Sequence, residues 1–358
     1  MLDDAVRWMT ATCERATRTR GMVPGQAMWS ARPVIRTKPL LIAAVMTVAT
    51  AGSPSARIAG DGVLLRTDPH TPLKPFDALD DVGRGSVSRA VYEDARAQKT
   101  FDILHISYAS NGSGGSAVPG ILIQPKRLGG RRWPAIVYNR GGTGDVGRLD
   151  DLAVVEMYLL AKAGFVVIAS DYRFHGALSK RDEWGGLDVE DVMSLFPLLR
   201  SQPVVDADRL FMLGVSRGGT MTYLALKRGA PVKAAAVIGA PSDLEALAVS
   251  RPDLLYGDRT YDGWANVWVD FAHRAAEHYR ERSAVNWAKQ IIVPLLMLHA
   301  KEDRMVPLDQ SLRMAAALQD AGREYELSVY QNDGHALSHR RNERNREIIA
   351  WFNGHRPK

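Results

Sequence analysis

The chain has 358 residues, 46% of them hydrophobic and 24% charged, enough for one large α/β domain with a substantial core plus an appendage. Its single cysteine, Cys13, excludes an intrachain disulfide and argues against a cysteine-based metal site or thiol nucleophile. The formal charge of +6 is uneven: residues 1–51 hold seven Lys or Arg against three Asp or Glu, which leaves only +2 for the rest and no concentrated basic stripe for nucleic acid.

In chain order, Arg36-Thr37-Lys38 precedes the apolar run Pro39 to Val48 and the small-residue end Ala49-Thr50-Ala51. A basic start, an apolar middle and an Ala-x-Ala end read as a secretory signal over residues 36–57, cleaved between Ala49 and Ala56. Residues 1–35 are then an N-terminal extension, or translation starts later, at Met28 for example. The protein is expected to be exported, periplasmic or extracellular, and cytoplasmic if this run is a buried helix instead. The run is too short for a membrane span, so no stable insertion is expected once the signal is removed.

Residues 58–100 form an N-terminal segment broken early by Pro69, Pro72 and Pro75, with a helix from Val87 to Ala97. From residue 101 to 358 strands and helices alternate. Phe101 to Tyr108 and Val118 to Ile123 read as an antiparallel pair around a Gly/Ser turn. The further strands are Pro134 to Tyr138, Phe165 to Ala169, Leu210 to Leu213, Ala234 to Ile238, Leu295 to His299 and Tyr325 to Tyr330. Helices are expected at Leu152 to Ala163, Val189 to Leu199, from the corner at Ser216 to about Lys227, at Ser311 to Gln319 and through Ile348 to Phe352. Residues 242–290 contain no clean strand and read as a helical excursion after the sixth strand, with helices at Leu244 to Val249 and Trp264 to Arg280. The alternation predicts an α/β fold with a mostly parallel sheet covered by helices on both faces.

Three short segments carry the chemistry. Gly214-Val215-Ser216-Arg217-Gly218-Gly219 follows a strand and opens a helix, the setting in which G-x-S-x-G is a nucleophile elbow. Ser216 is the candidate nucleophile, and the Arg217 N–H at the helix start is a candidate oxyanion donor. His335, in the loop after the last strand, is the candidate base. Asp303, beyond the strand ending at His299, is the candidate orienter of that base, with Glu302 as its adjacent rival. The order Ser, Asp, His along the chain is that of an α/β-hydrolase. The second oxyanion donor is expected from Arg140, Gly141 or Gly142 in the glycine-rich loop after Tyr138. A phosphate loop would need a Gly-Lys-Ser/Thr ending that the chain lacks. Trp184, Tyr261, Trp264 and Trp268 are candidates for a substrate pocket. Asp171 and Arg173 read as a structural ion pair, joined by Asp188 or Asp191. His273 and His278 lack the spacing of a helical zinc motif, and neither metal nor cofactor is expected.

These segments together resemble the catalytic domain of the prolyl oligopeptidase family, in the branch of acylaminoacyl and dipeptidyl peptidases. The resemblance runs from about Phe101 to the C-terminus. It is carried by Val118-Pro119-Gly120, Asn139-Arg140-Gly141-Gly142, Asp171-Tyr172-Arg173, Trp184 to Val192, the Ser216 elbow, Pro294 to Pro307 and Asp333-Gly334-His335. It implies an α/β-hydrolase fold and a Ser216, Asp303, His335 triad. Two departures stand out. Family peptidases usually carry a β-propeller that the residues before Phe101 are too few to build, and the family's oxyanion-region Tyr is replaced here by Arg140. The expected activity is hydrolysis of peptide or acyl-amide bonds in small substrates through an acyl-enzyme. The alternatives are a carboxylesterase acting on small esters and a noncatalytic binding protein of the same fold. A peptidase would recognise a peptide terminus through Arg140, Asp188 or Glu245.

Overall fold

A computed structural model describes residues 62–111, 117–127, 129–144, 146–173, 183–257 and 263–356. The expected extension and signal segment, and Tyr261, lie outside the described residues. A short edge strand β1 (Leu64–Pro69) comes first, followed by helices α1 (Asp81–Ser86) and α2 (Arg89–Ala97). Strands β2 (Phe101–Ala109), β3 (Ala117–Pro125) and β4 (Trp133–Asn139) lead to helix α3 (Asp151–Lys162) and strand β5 (Val166–Ser170). Helices α4 (Asp188–Met193) and α5 (Leu195–Ser201) precede strand β6 (Val205–Val215), helix α6 (Arg217–Lys227) and strand β7 (Ala234–Ile238). The excursion comprises α7 (Leu244–Ser250), α8 (Pro252–Tyr256), α9 (Trp264–Val267), α10 (Phe271–Arg282) and a 3₁₀ segment (Ala284–Gln290). The chain closes with β8 (Leu295–Ala300), α11 (Asp309–Asp320), β9 (Tyr325–Tyr330) and α12 (Arg341–Gly354).

Among the described residues nine strands form one sheet in the order β1-β2-β3-β5-β4-β6-β7-β8-β9. Pairs β1/β2, β2/β3 and β3/β5 are antiparallel, and every pair from β5/β4 to β8/β9 is parallel. Alternate residues of each central strand feed opposite cores, as a side-chain period of two requires. Ile136 and Phe211 enter the core under α2, α3 and α12, whereas Val137 and Met212 enter the one under α4, α5, α6 and α11. This is the α/β-hydrolase architecture.

The structure differs from the sequence expectation in three places. β1 forms where a loop was expected, so the excursion follows the seventh strand among the described residues. The expected helix at 189–199 is two helices that meet at Ser194. The expected helix at 264–280 breaks after Val267, and Asp270 takes a left-handed φ of 54° before α10. The parallel strands point their C-terminal ends the same way, which is where ligands bind in such sheets. Among the described residues no helix is long and apolar enough to cross a membrane.

Candidate active site

Ser216 sits at the corner between β6 and α6 with φ 54° and ψ −126°, a conformation that costs a non-glycine residue about 1–3 kcal/mol. The surroundings enforce it. Ser216 N–H donates to the Ile238 carbonyl at 2.8 Å, and the Ser216 carbonyl accepts from Gly219 N–H at 2.8 Å. The corner is tight enough to need glycine: a Cβ on Gly214 would lie 2.2 Å from the Gly218 oxygen, and one on Gly218 would lie 1.9 Å from the Asn139 oxygen. The loop after β4 therefore presses directly on the elbow. A Cβ on Gly141 would come within 3.2 Å of the Ser216 Cβ.

His335 and Asp303 meet across the ends of β8 and β9. His335 Nδ1 and Asp303 Oδ2 are 2.7 Å apart, with the carboxylate side chain 1% exposed and the imidazole 22%. The second carboxylate oxygen, Oδ1, accepts the Met305 and Val306 N–H groups at 2.9 Å each. Burial opposes ionisation of Asp303, but the His335 hydrogen bond and charge and the Val306 N–H outweigh it and hold the carboxyl below its ordinary range. Glu302 turns elsewhere and accepts the Asn332 N–H at 3.0 Å. Gly239, with φ 53°, faces this pair, since a Cβ there would lie 3.1 Å from Asp303 Oδ2 and 3.3 Å from the His335 ring.

A second histidine supports the acid. His299 is fully buried, with Nδ1 2.7 Å from the Ser311 hydroxyl and Nε2 2.8 Å from the Val306 carbonyl. The carbonyl can only accept, so Nε2 carries the proton and Nδ1 accepts from Ser311. Burial pushes the His299 pKa down, keeping the ring neutral. It thereby pins the turn that carries Asp303. Asp333 does the same for the His335 loop, its buried carboxylate accepting from Gly334 N–H at 2.7 Å and Arg340 N–H at 2.9 Å.

The two arginines have different places. Arg217 is the first residue of α6, so its N–H is among those an α-helix leaves pointing out of its N-terminal end. Its guanidinium binds Asp188 at 2.7 Å and the Gly142 carbonyl at 3.2 Å. The Arg140 guanidinium is 1% exposed and engages Asp171 at 2.9 Å and the Gly141 carbonyl at 3.0 Å. A side-chain role for Arg140 toward substrate is therefore replaced by a structural one, and its neighbours Gly141 and Gly142 lie against the elbow through the backbone. Both guanidinium groups stack on the Tyr172 ring, at 4.8 and 4.7 Å from its centroid. Asp171 and Arg173 do not pair with each other, because Arg173 binds Asp191 at 2.7 Å. Asp188 and Arg140 are thus held internally, whereas Glu245 is exposed on α7.

A cavity of about 210 Å³ opens beside Ser216. Among the described residues its lining includes Gly142, Trp184, Arg217, Leu247, Leu254 and Val306. Trp184 reaches it with its indole N–H on the Thr143 hydroxyl at 3.0 Å. Trp264 and Trp268 lie behind it. They stack at 5.0 Å in the core of the excursion, 1% and 3% exposed, and do not line the cavity. Arg251 and Asp253 do line it and carried no signal in the sequence beyond an Arg-Pro-Asp helix start.

A serine on a strained strand-to-helix corner of this sheet defines a hydrolase of the α/β-hydrolase class. Residues 152–356, more than half of the chain, match the model of the prolyl oligopeptidase family. The chain belongs to that family, whose mechanism is that of serine hydrolases and peptidases. It is 28% identical over 249 residues to the uncharacterized peptidase YtmA of Bacillus subtilis, covering 69% of this chain and 91% of that one. The acylaminoacyl peptidase of Pyrococcus horikoshii superposes with a TM-score of 0.60 at 26% identity, over 74% of this chain and 44% of that one. A solved acylaminoacyl peptidase in complex with Z-Gly-Gly-Phe-chloromethyl ketone gives 0.59 at 26% identity, over 71% and 42%. The chain spans less than half the length of these two solved relatives.

Proposed function

We propose that the chain cleaves peptide or acyl-amide bonds in small substrates, with Ser216 as nucleophile, His335 as general base and Asp303 as its orienter. The observation that carries this reading is the 2.7 Å contact between His335 and buried Asp303, which face Gly239, the residue after the Ile238 carbonyl that holds the Ser216 N–H. With Nδ1 donating to Asp303, Nε2 is the nitrogen that takes the Ser216 proton as the hydroxyl attacks the carbonyl. The Arg217 N–H and the backbone of Gly141 and Gly142 receive the developing oxyanion. His335 then protonates the leaving amine, and water activated by the same ring releases the acyl group. The peptidyl ligand of the solved acylaminoacyl peptidase supports peptide-like substrates.

Steady-state hydrolysis of matched aminoacyl anilides and short-chain aryl esters tests this, with Ser216→Ala as background. Anilide turnover that vanishes in Ser216→Ala is the expected result. Turnover confined to esters would replace the peptidase reading with the carboxylesterase one. Turnover that survives Ser216→Ala would end both.

A further inference from the structure

Main-chain N–H groups stabilise an oxyanion only if the peptide planes that carry them are fixed beforehand. A glycine-rich loop holds those planes poorly by itself, because glycine reaches positive φ at no steric cost, as Gly142 does at 76°. In the loop after β4 each carbonyl from residue 140 to 142 accepts from a side chain. The Tyr172 hydroxyl donates to the Arg140 carbonyl at 3.3 Å, the Arg140 guanidinium to the Gly141 carbonyl at 3.0 Å, and the Arg217 guanidinium to the Gly142 carbonyl at 3.2 Å. These three donors form one stack, since both guanidinium groups lie on the Tyr172 ring. Tyr172 is itself buried, and its N–H donates to the Ser170 hydroxyl at 3.0 Å. The neighbouring Asp171 takes Arg140 at 2.9 Å and, further along the same loop, Arg148 at 3.2 Å and the Leu149 N–H at 3.3 Å. The loop is thus tied at both ends to the Asp171-Tyr172 turn after β5.

We propose that Tyr172 is a positioning residue of the active site: its hydroxyl and the two guanidinium groups stacked on its ring fix the peptide planes of residues 140–143 and so aim the Gly141 and Gly142 N–H groups at the oxyanion. The inference rests on the Ser216 acyl-enzyme reading. In a planar trans peptide the N–H points opposite to the carbonyl of the residue before it. Carbonyls turned toward the stack therefore leave the N–H groups of Gly141, Gly142 and Thr143 turned away from it. On that loop, a Cβ added to Gly141 would lie 3.2 Å from the Ser216 Cβ, and Gly142 and Thr143 line the cavity beside Ser216. A flipped plane would leave its donor and turn a carbonyl oxygen, instead of an N–H, toward the developing negative charge. Two of the three carbonyls accept from a charged donor, the stronger kind of hydrogen bond. Tyr172 touches neither substrate nor the reacting atoms and acts through the loop.

The test compares wild type, Tyr172→Phe and Arg217→Lys on the best-cleaved N-acetyl aminoacyl anilide and its matched aryl ester. Tyr172→Phe keeps the ring and removes the hydroxyl. Arg217→Lys keeps a positive charge for Asp188 and removes the fork that reaches the Gly142 carbonyl. Each is expected to lower kcat about tenfold with KM kept within about twofold, a smaller loss than the roughly 10²–10³-fold that follows outright removal of an oxyanion donor. The aldehyde of the same N-acetyl amino acid, which a serine adds to as a tetrahedral oxyanion, is expected to bind more weakly by the same factor. A matched thiono ester draws less on the N–H groups, because sulfur accepts hydrogen bonds weakly, and is expected to lose less than the oxygen ester. The pH midpoint of kcat/KM is expected to stay, since the His335–Asp303 contact is untouched. This pattern in either variant supports the proposal, so one that fails to fold leaves the other to decide. Unchanged kcat and aldehyde affinity in the folded variants, a rise in KM alone, or equal losses on the oxygen and thiono esters overturn it. Ser216→Ala on the same substrates reports separately on the catalytic reading. If only esters turn over, the ester series decides the question unchanged.

Discussion

Asp303 uses its two oxygens for different purposes, and only one of them tolerates an amide. Oδ1 takes the Met305 and Val306 N–H groups, and Oδ2 takes His335. In Asp303→Asn the amide oxygen can keep the two backbone bonds, so the turn stays folded. The amide nitrogen then faces His335 Nδ1 and forces the proton onto Nε2, the tautomer that cannot accept from Ser216. The expected result is a loss of about 10⁴-fold in kcat with the thermal unfolding midpoint nearly kept. Little change in kcat would remove Asp303 as orienter. Glu302 is a poor substitute because it already caps the Asn332 N–H at 3.0 Å.

The elements around the corner show where local preference and packing disagree. Gly218 lies in the first turn of α6, where helix propensity alone favours alanine by about 1 kcal/mol. The added Cβ, however, would meet the Asn139 carbonyl at 1.9 Å, a backbone oxygen at the end of β4 that cannot swing aside. The clash should win, so Gly218→Ala is expected to lower stability by about 1–3 kcal/mol in denaturant unfolding and to lower kcat through displacement of the 139–142 loop. A stabilised variant would show the corner to be looser than described. The same contrast explains what the sequence reveals. β4, β5, β7 and β8, and the Leu210–Leu213 half of β6, are largely apolar runs buried on both faces and are legible as strands. β1 reads Leu-Leu-Arg-Thr-Asp-Pro, an exposed edge strand whose evidence is its pairing with β2. Ser216, Asp303 and His335 each stand in a short motif after a strand, so the loops that carry them are legible one at a time. The pairs Arg140–Asp171, Arg173–Asp191 and Arg217–Asp188 join different loops and helices, and only the assembled sheet decides which acid meets which arginine. Trp264 and Trp268 share a helical spacing in the sequence, but spacing does not say whether they face a pocket or a core.

At the scale of the whole molecule, residues 62–100 and the strands from β2 onward share one core. β1 extends the sheet, and Leu73, Phe76, Val87 and Tyr92 are buried in the same cluster as Ile136, Val167 and Phe352. The Tyr92 hydroxyl and the Lys74 N–H both donate to Asp151 at 3.0 Å, at the start of α3. Arg341 donates to the Ser86 carbonyl, which ties the segment to α12 just beyond the His335 loop. Burying a large apolar side chain contributes about 1.5–3 kcal/mol. Four of them approach the about 5–15 kcal/mol that stabilises an ordinary domain. A chain beginning at Phe101 would lose those contacts and expose the face of α3 and β3 beneath them, so it is expected to lack a cooperative thermal transition. A chain beginning at Ala56 keeps every contact named here and is expected to retain the transition together with labelling of Ser216 by a serine-reactive phosphonate. Cooperative unfolding and unchanged kcat/KM in the shorter chain would make the segment an appendage. Loss of both would make residues 62–100 part of the hydrolase core and, through Arg341, of the support beneath His335.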